Sequence, residues 1–137
     1  MQDIKDYGKQ PFVLNLEQET VSNDKFRVAK WTGANLQMTL MSIPVGDDIG
    51  LEVHENHDQF LRIEQGQARV DMGPSQDNLD FQESAEADFG IFVPAGTWHN
   101  VTNVGDVPLK AYSIYAPAEH PAGTVHGTKA DAEAAEY

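Results

Sequence analysis

The chain has 137 residues, no cysteine and a formal net charge of −13, so it is long enough for one hydrophobic core and offers neither disulfides nor thiolate metal ligands. Its 22 acidic residues against 9 basic ones repel phosphate backbones and anionic membrane surfaces, which argues against nucleic-acid and membrane partners. A composition with 40% hydrophobic residues fits a folded domain, and a polar N-terminus without a long apolar run predicts a soluble cytoplasmic protein.

In chain order, residues 1–10 are polar and predicted to be loose. Residues 11–16 (PFVLNL) and 25–31 (KFRVAKW) carry strand chemistry, with a turn-rich piece at 21–24 between them. Residues 35–43 alternate, with Leu36, Met38 and Leu40 on one face and Gln37, Thr39 and Met41 on the other. That predicts a strand with one wettable side. After the turn-forming 44–50, strands are predicted at 51–55, 58–64 and 67–72, the last two joined by a tight turn at Gln65 and Gly66. Residues 73–88 are acidic and predicted to be a long loop. Strands resume at 90–93, at 98–104 and, past Gly105 and Asp106, at 109–115. Short strands at regular spacing, with no amphipathic helix between them, predict an all-β sandwich or barrel. The expected division is an extension with a first strand at 1–24, a barrel at 25–116 and a tail at 117–137. Thr128 and Asp131 form a capping-box-like start for a short helix in that tail. The helix is polar nearly all round and is expected to be an exposed end.

Two stretches concentrate ligating side chains. Residues 50–66, GLEVHENHDQFLRIEQG, hold Glu52, His54, His57, Asp58 and Gln59. Residues 94–103, PAGTWHNVTN, place His99 behind a turn in which Pro94 fixes φ and Gly96 permits a tight bend. Strand residues two apart share a face, so Glu52 and His54 project together while Leu51 and Val53 face a packed layer. A hairpin would set Gln59 opposite them, and His99 would arrive from a distant segment. Glu52, His54, Gln59 and His99 then offer oxygen and nitrogen donors that suit a divalent metal with open positions. His57 is out of phase and is a loop histidine, or a replacement for Glu52 if the turn folds inward. Asp58 is a turn residue or orients an imidazole. His120 and His126 lie in the tail, away from this site. Trp98 and Asn100 should face away from it, and Phe60 and Arg62 suit packing or a dimer contact.

The second stretch resembles, in full, the P-x-G-x-x-H-x-x-x-N motif of the cupin superfamily through Pro94, Gly96, His99 and Asn103. The first resembles the family's other motif, which has two histidines one residue apart, a glutamate after a short spacing and a closing glycine. With Gly66 as that glycine, Glu52 stands in place of the first histidine, His54 matches the second, and Gln59 stands in place of the glutamate. The resemblance covers about residues 26–116. It implies a double-stranded β-helix (jelly-roll) barrel with a metal held by Glu52, His54, Gln59 and His99. One carboxylate has changed position, but the number of negative ligands is still one, so a divalent ion keeps a first-shell charge of about +1.

The implied cofactor is a divalent metal, with Fe, Mn, Zn, Ni or Co all compatible with such ligands. The implied function is a small metal-binding cupin, an enzyme acting on a small polar molecule by sugar or sugar-phosphate isomerase-like, or related Lewis-acid, chemistry. An iron-dependent dioxygenase-type cupin and a non-catalytic ligand-binding or sensing cupin are the alternatives. Glu52 would be a catalytic base only if it is not a ligand. Arg27, Lys30, Arg62, Arg69 and Lys110 are scattered, so no cationic cluster for a phosphate is expected. Exposed sheet edges predict a homodimer, with 11–16 and 25–31 as segments that could cross to a neighbour.

Overall fold

Alternating burial builds the walls that carry the site. In the computed structural model, which describes residues 4–135, nine strands follow one another: β1 (Arg27–Thr32), β2 (Gln37–Ile43), β3 (Asp58–Gln65), β4 (Gln67–Gly73), β5 (Phe81–Glu86), β6 (Gly90–Val93), β7 (Trp98–Asn103), β8 (Leu109–Ala116) and β9 (Val125–His126). Helices α1 (Leu16–Ser22) and α2 (Lys129–Ala135) flank them. A six-stranded sheet runs β6-β3-β8-β2-β1-β9, and a three-stranded sheet runs β5-β4-β7. Every pairing is antiparallel.

The core lies between the sheets. Met41, Leu61, Ile63 and Leu109 of the larger sheet meet Val70 and Val101 of the smaller one, all at most 2% exposed. Truncating one of them, as in Leu61→Ala, would cost about 2–5 kcal/mol. This is the expected all-β barrel with a short C-terminal helix. Among the described residues, no helix is long and apolar enough to cross a membrane.

Several local expectations give way to tertiary structure. Residues 11–15 form no strand; Asn15 instead caps α1 by accepting a hydrogen bond from Gln18 N at 3.1 Å, and Glu17 and Glu19 occupy the positive end of the helix. Residues 51–55 form no regular strand either, only a single bridge from Glu52 to His99. Inside the predicted acidic loop, 81–86 is β5, an edge strand with Ala85 its one buried residue, so its alternation is hidden by outward polar groups. The expected wettable side of β2 is absent: Gln37 and Thr39 are fully buried because β1 and β8 enclose the strand.

The segments beyond the barrel are also tied in. Asp6 accepts hydrogen bonds from Thr32 N, Thr32 Oγ1 and Gly123 N, so residues 4–10 are anchored rather than loose; residues 1–3 lie outside the described part. The tail returns to the sheet as β9, paired with β1. The capping box forms as expected, with Thr128 N donating to Asp131 Oδ2 and Asp131 N to Thr128 Oγ1, both at 3.1 Å. Yet α2 is docked, not merely exposed. Lys129 Nζ bonds Asp47 at 3.0 Å and also Asp48, and Ala132 packs on the core. Glu136, in the last position of the predicted helix, lies outside the described residues.

Candidate metal centre

The inward face of β7 carries His99, Val101 and Asn103, and His99 has no exposed surface. The preceding turn aims it. Gly96 has φ +79°, Thr97 N donates to Pro94 O at 3.2 Å, and Ala95 N donates to Asp58 Oδ1 at 3.0 Å. Asp58 therefore holds the turn, not an imidazole. Nδ1 of His99 lies 3.0 Å from the carbonyl of Thr97 and donates its proton there, so that the neutral ring has its lone pair on Nε2 and the protonated ring has an N–H there facing Glu52. That Nε2 is buried without a hydrogen-bond partner.

Glu52 is brought beside His99 by backbone pairing. Glu52 N donates to His99 O at 3.0 Å and His99 N to Glu52 O at 2.9 Å, and residues paired in this way present their side chains on one face. Gly96 N donates to His54 O at 2.8 Å, so the segment stays extended for two more residues and His54 joins the same face. The predicted projection of Glu52 with His54 thus holds without the predicted strand. Glu52 Oε1 lies 3.2 Å from His54 Nε2 and 3.5 Å from His99 Nε2. On its other side, His54 Nδ1 faces Glu119 Oε2 at 3.3 Å. The donor atoms of Glu52, His54 and His99 all lie within 4.8 Å of one another.

Gln59 is 3% exposed on the inward face of β3, across from Tyr115 of β8. Its Nε2 donates to Ser113 Oγ at 3.3 Å, while Oε1 is buried without a partner. Tyr115, the cross-strand partner of Gln59, has its ring 5.8 Å from that of His54. His57 lies outside the cluster: its Nε2 bonds the carbonyl of Ala118 at 2.9 Å, which leaves Glu52 as the carboxylate beside the two imidazoles. The Phe60 ring lies tilted against that of Phe92, and Arg62 pairs with Glu64 and Asp88, both on the outer face as expected.

Electrostatics bind the cluster together. Burial raises the Glu52 pKa, but the imidazoles of His54 and His99 outweigh it and hold the carboxyl at about 2. Burial lowers the His54 pKa, and this too is overcome by the hydrogen bond to Glu52 and the charges of Glu52 and Glu119, so it is raised. Burial pushes the Tyr115 hydroxyl up to about 12, keeping it neutral. Two imidazoles with Nε2 directed at one carboxylate oxygen, each with Nδ1 facing an acceptor, fit a divalent metal; the carbonyl behind His99 and the carboxylate behind His54 are the usual orienting groups.

The tail contributes what its composition did not suggest. Glu119 and His120 are held by the buried amide of Gln37, whose Oε1 accepts from Glu119 N at 3.2 Å and His120 N at 3.0 Å and whose Nε2 donates to His120 O at 2.8 Å. His120 is 7% exposed and sits edge-on to Tyr115 at 5.3 Å, so it belongs to the site region and not to a free tail. A cavity of about 330 Å³ opens beside the cluster, with Arg27, Glu52, His54, Glu119, His120 and Lys129 in its wall. Arg27 and Lys129 thus bring cationic side chains to one wall, although the basic residues looked scattered along the sequence and no cationic cluster was expected. A polar residue at a position of β2 enclosed by neighbouring strands was the signal for Gln37.

The cupin domain model matches residues 39–115. An uncharacterized protein of Bacillus subtilis, YrkC, is 62% identical over 133 residues, covering 97% of this chain and 72% of that protein. A second uncharacterized protein, L612 of Acanthamoeba polyphaga mimivirus, is 38% identical over 117 residues, covering 85% and 71%. The crystal structure of BH2720 from Bacillus halodurans is 61% identical, with a TM-score of 0.95 over 96% of this chain and 99% of that one. The barrel, the matched domain and these relatives together place this chain in the cupin family.

Proposed function

We propose that this cupin is a metal-dependent enzyme that acts on a small polar molecule, with Glu52, His54, His99 and Gln59 holding one divalent ion. The observation that carries this reading is the convergence of His54 Nε2 and the unpartnered, buried His99 Nε2 on a single oxygen of Glu52. A divalent ion bound there supplies Lewis-acid polarisation of a substrate carbonyl or hydroxyl. The chain's own residues do the rest. Glu119 and the Thr97 carbonyl orient the two imidazoles, Gln37 holds Glu119 in place, and α2 covers one side of the cavity. Glu52, surrounded by both imidazoles, is a ligand in this reading and not the base.

The wall residues favour isomerase-like or related Lewis-acid chemistry over dioxygenation of an apolar substrate, since Arg27, Glu119, His120 and Lys129 make the cavity polar. A homodimer would use the outer face of the larger sheet, where Phe92 is 74% exposed and its ring lies 4.9 Å from that of Phe60. Light scattering on the purified protein tests that state, and a monomer at all concentrations rejects it.

Elemental analysis of untagged protein, with His99→Ala beside it, tests the metal centre. Stoichiometric metal in the wild type and none in the variant is the expected result. Absence of metal in the wild type after reconstitution with Fe, Mn, Zn, Ni and Co would overturn it and favour a non-catalytic binding module.

A further inference from the structure

Arg27 has no part in holding a metal, yet it lines the same cavity and is only 5% exposed. Its Nη1 meets His126 Nδ1 at 3.2 Å, its guanidinium lies 5.3 Å from the centre of the Phe26 ring, and its Nε is buried without a partner. No carboxylate among the described residues pairs with it. Of the acids nearby, Glu52 pairs with His54 and His99, Glu119 Oε2 faces His54 Nδ1 at 3.3 Å, Asp47 and Asp48 pair with Lys129, and Glu133 lines the same cavity without an ion pair to Arg27. A guanidinium stays protonated at any ordinary pH, and a buried charge is tolerated when a counter-ion meets it.

His120 stands on the same wall with both ring nitrogens buried and unpartnered. Burial, then the charge of Arg27, push its pKa down to about 3, so its ring is neutral and offers one N–H and one lone pair. The cavity wall therefore carries unpartnered donors, Arg27 Nε and a His120 ring N–H, beside the oxygen and nitrogen groups of Glu52 and His54.

We infer that this cavity binds a small organic carboxylate, its carboxylate group received by the Arg27 guanidinium and the His120 ring N–H, and a second oxygen function turned toward the Glu52–His54–His99 cluster. The contact at the cluster rests on the metal reading above; the contact at Arg27 does not. The planar fork of a guanidinium matches a carboxylate in shape and charge. A phosphate dianion suits the site less, because Glu119 and Glu133 line the same wall and would repel the additional charge.

Calorimetric titration tests the assignment. Pyruvate and glycolate are the probes, with glucose and inorganic phosphate as contrasts, against manganese-loaded and chelator-stripped protein. Arg27→Gln and Arg27→Lys are made in parallel, and their metal content is measured. Expected is pyruvate or glycolate binding that weakens at least ~10-fold in Arg27→Gln, the loss of a charged hydrogen bond, with metal content unchanged. In Arg27→Lys, which keeps the charge but not the fork, binding should be intermediate. If Arg27→Gln fails to fold, weakened binding by a folded Arg27→Lys still supports the assignment. Equal carboxylate affinity in wild type and a folded Arg27 variant would overturn it, as would tighter binding of glucose or phosphate than of either acid. The two readings separate cleanly: metal without carboxylate binding sinks this inference alone, and Arg27-dependent carboxylate binding without metal sinks the metal centre alone.

Discussion

His99 and His54 approach the same carboxylate oxygen from regions of opposite character. His99 sits in a regular strand, wholly buried, and its Nδ1 proton is held by a carbonyl only two residues away. His54 sits in an irregular segment, its side chain 10% exposed, and the acceptor facing its Nδ1 comes from Glu119 in a loop that Gln37 must clasp. The strand carries its own orienting device; the irregular segment borrows one. A ligand set by local structure should be insensitive to the rest of the chain, whereas one set by distant contacts should fail when those contacts are touched.

The largest effect should come from His99→Ala. Metal retention should be abolished, and the cavity left in the core should cost a further 1–3 kcal/mol, roughly, of folding stability in denaturant titration. His54→Ala should abolish retention as well but change the denaturation midpoint much less, because His54 lies in an irregular segment and keeps some solvent exposure, whereas His99 is wholly buried in a strand. Equal destabilisation by the two variants would erase the distinction between the regions.

Glu119→Gln probes the borrowed orientation. Metal affinity should fall about 10–100-fold, the usual effect of losing a carboxylate behind a ligating histidine, with the barrel intact by circular dichroism. An unchanged affinity would mean that His54 is positioned by Glu52 and the backbone alone. Gln59→Ala should produce a smaller loss, about 10-fold, since an amide oxygen is a weaker donor than the carboxylate it replaces. Unchanged metal content at equal free metal would remove Gln59 from the ligand set.

Acid and base should separate the two sides of Glu52 in metal-free protein. The His54 pKa is raised on folding, so its contribution to stability is complete below the unfolded value of 6.5 and is lost as pH rises through the folded value. The Glu52 pKa is depressed to about 2, so its contribution is present above the unfolded value of 4.5 and is lost as pH falls toward 2. Thermal melts of stripped protein should therefore show the stabilisation from this pair greatest between these unfolded values, and Glu52→Gln should flatten both limbs. Metal uptake must displace the His54 proton, so affinity should fall as pH drops through the raised His54 pKa; a pH-independent affinity would exclude His54 as a ligand.

Much of the site was legible because strand periodicity is local. Alternation in 98–103 turns His99, Val101 and Asn103 inward whatever packs against them, and proline and glycine at 94 and 96 impose the turn before it. The same rule put Glu52 and His54 on one face and Gln59 with Leu61 and Ile63, even where the expected strand at 51–55 reduced to a bridge. The capping box at Thr128 and Asp131 was visible for the same reason, since both partners lie within one turn.

Only the tertiary structure decided the remainder. The edge strand β5 exists because β4 offers it hydrogen bonds, not because its residues favour one buried face. Residues 117–126 look like a polar tail, but their polar groups find buried partners in Gln37 and Arg27, on strands far away in sequence. Such pairings depend on which distant segments meet, and no local pattern encodes that choice. Sequence alone thus determined the family, the barrel and the shared face of Glu52 and His54; the acid behind His54 and the buried guanidinium in the same cavity wall became visible only when the chain closed on itself.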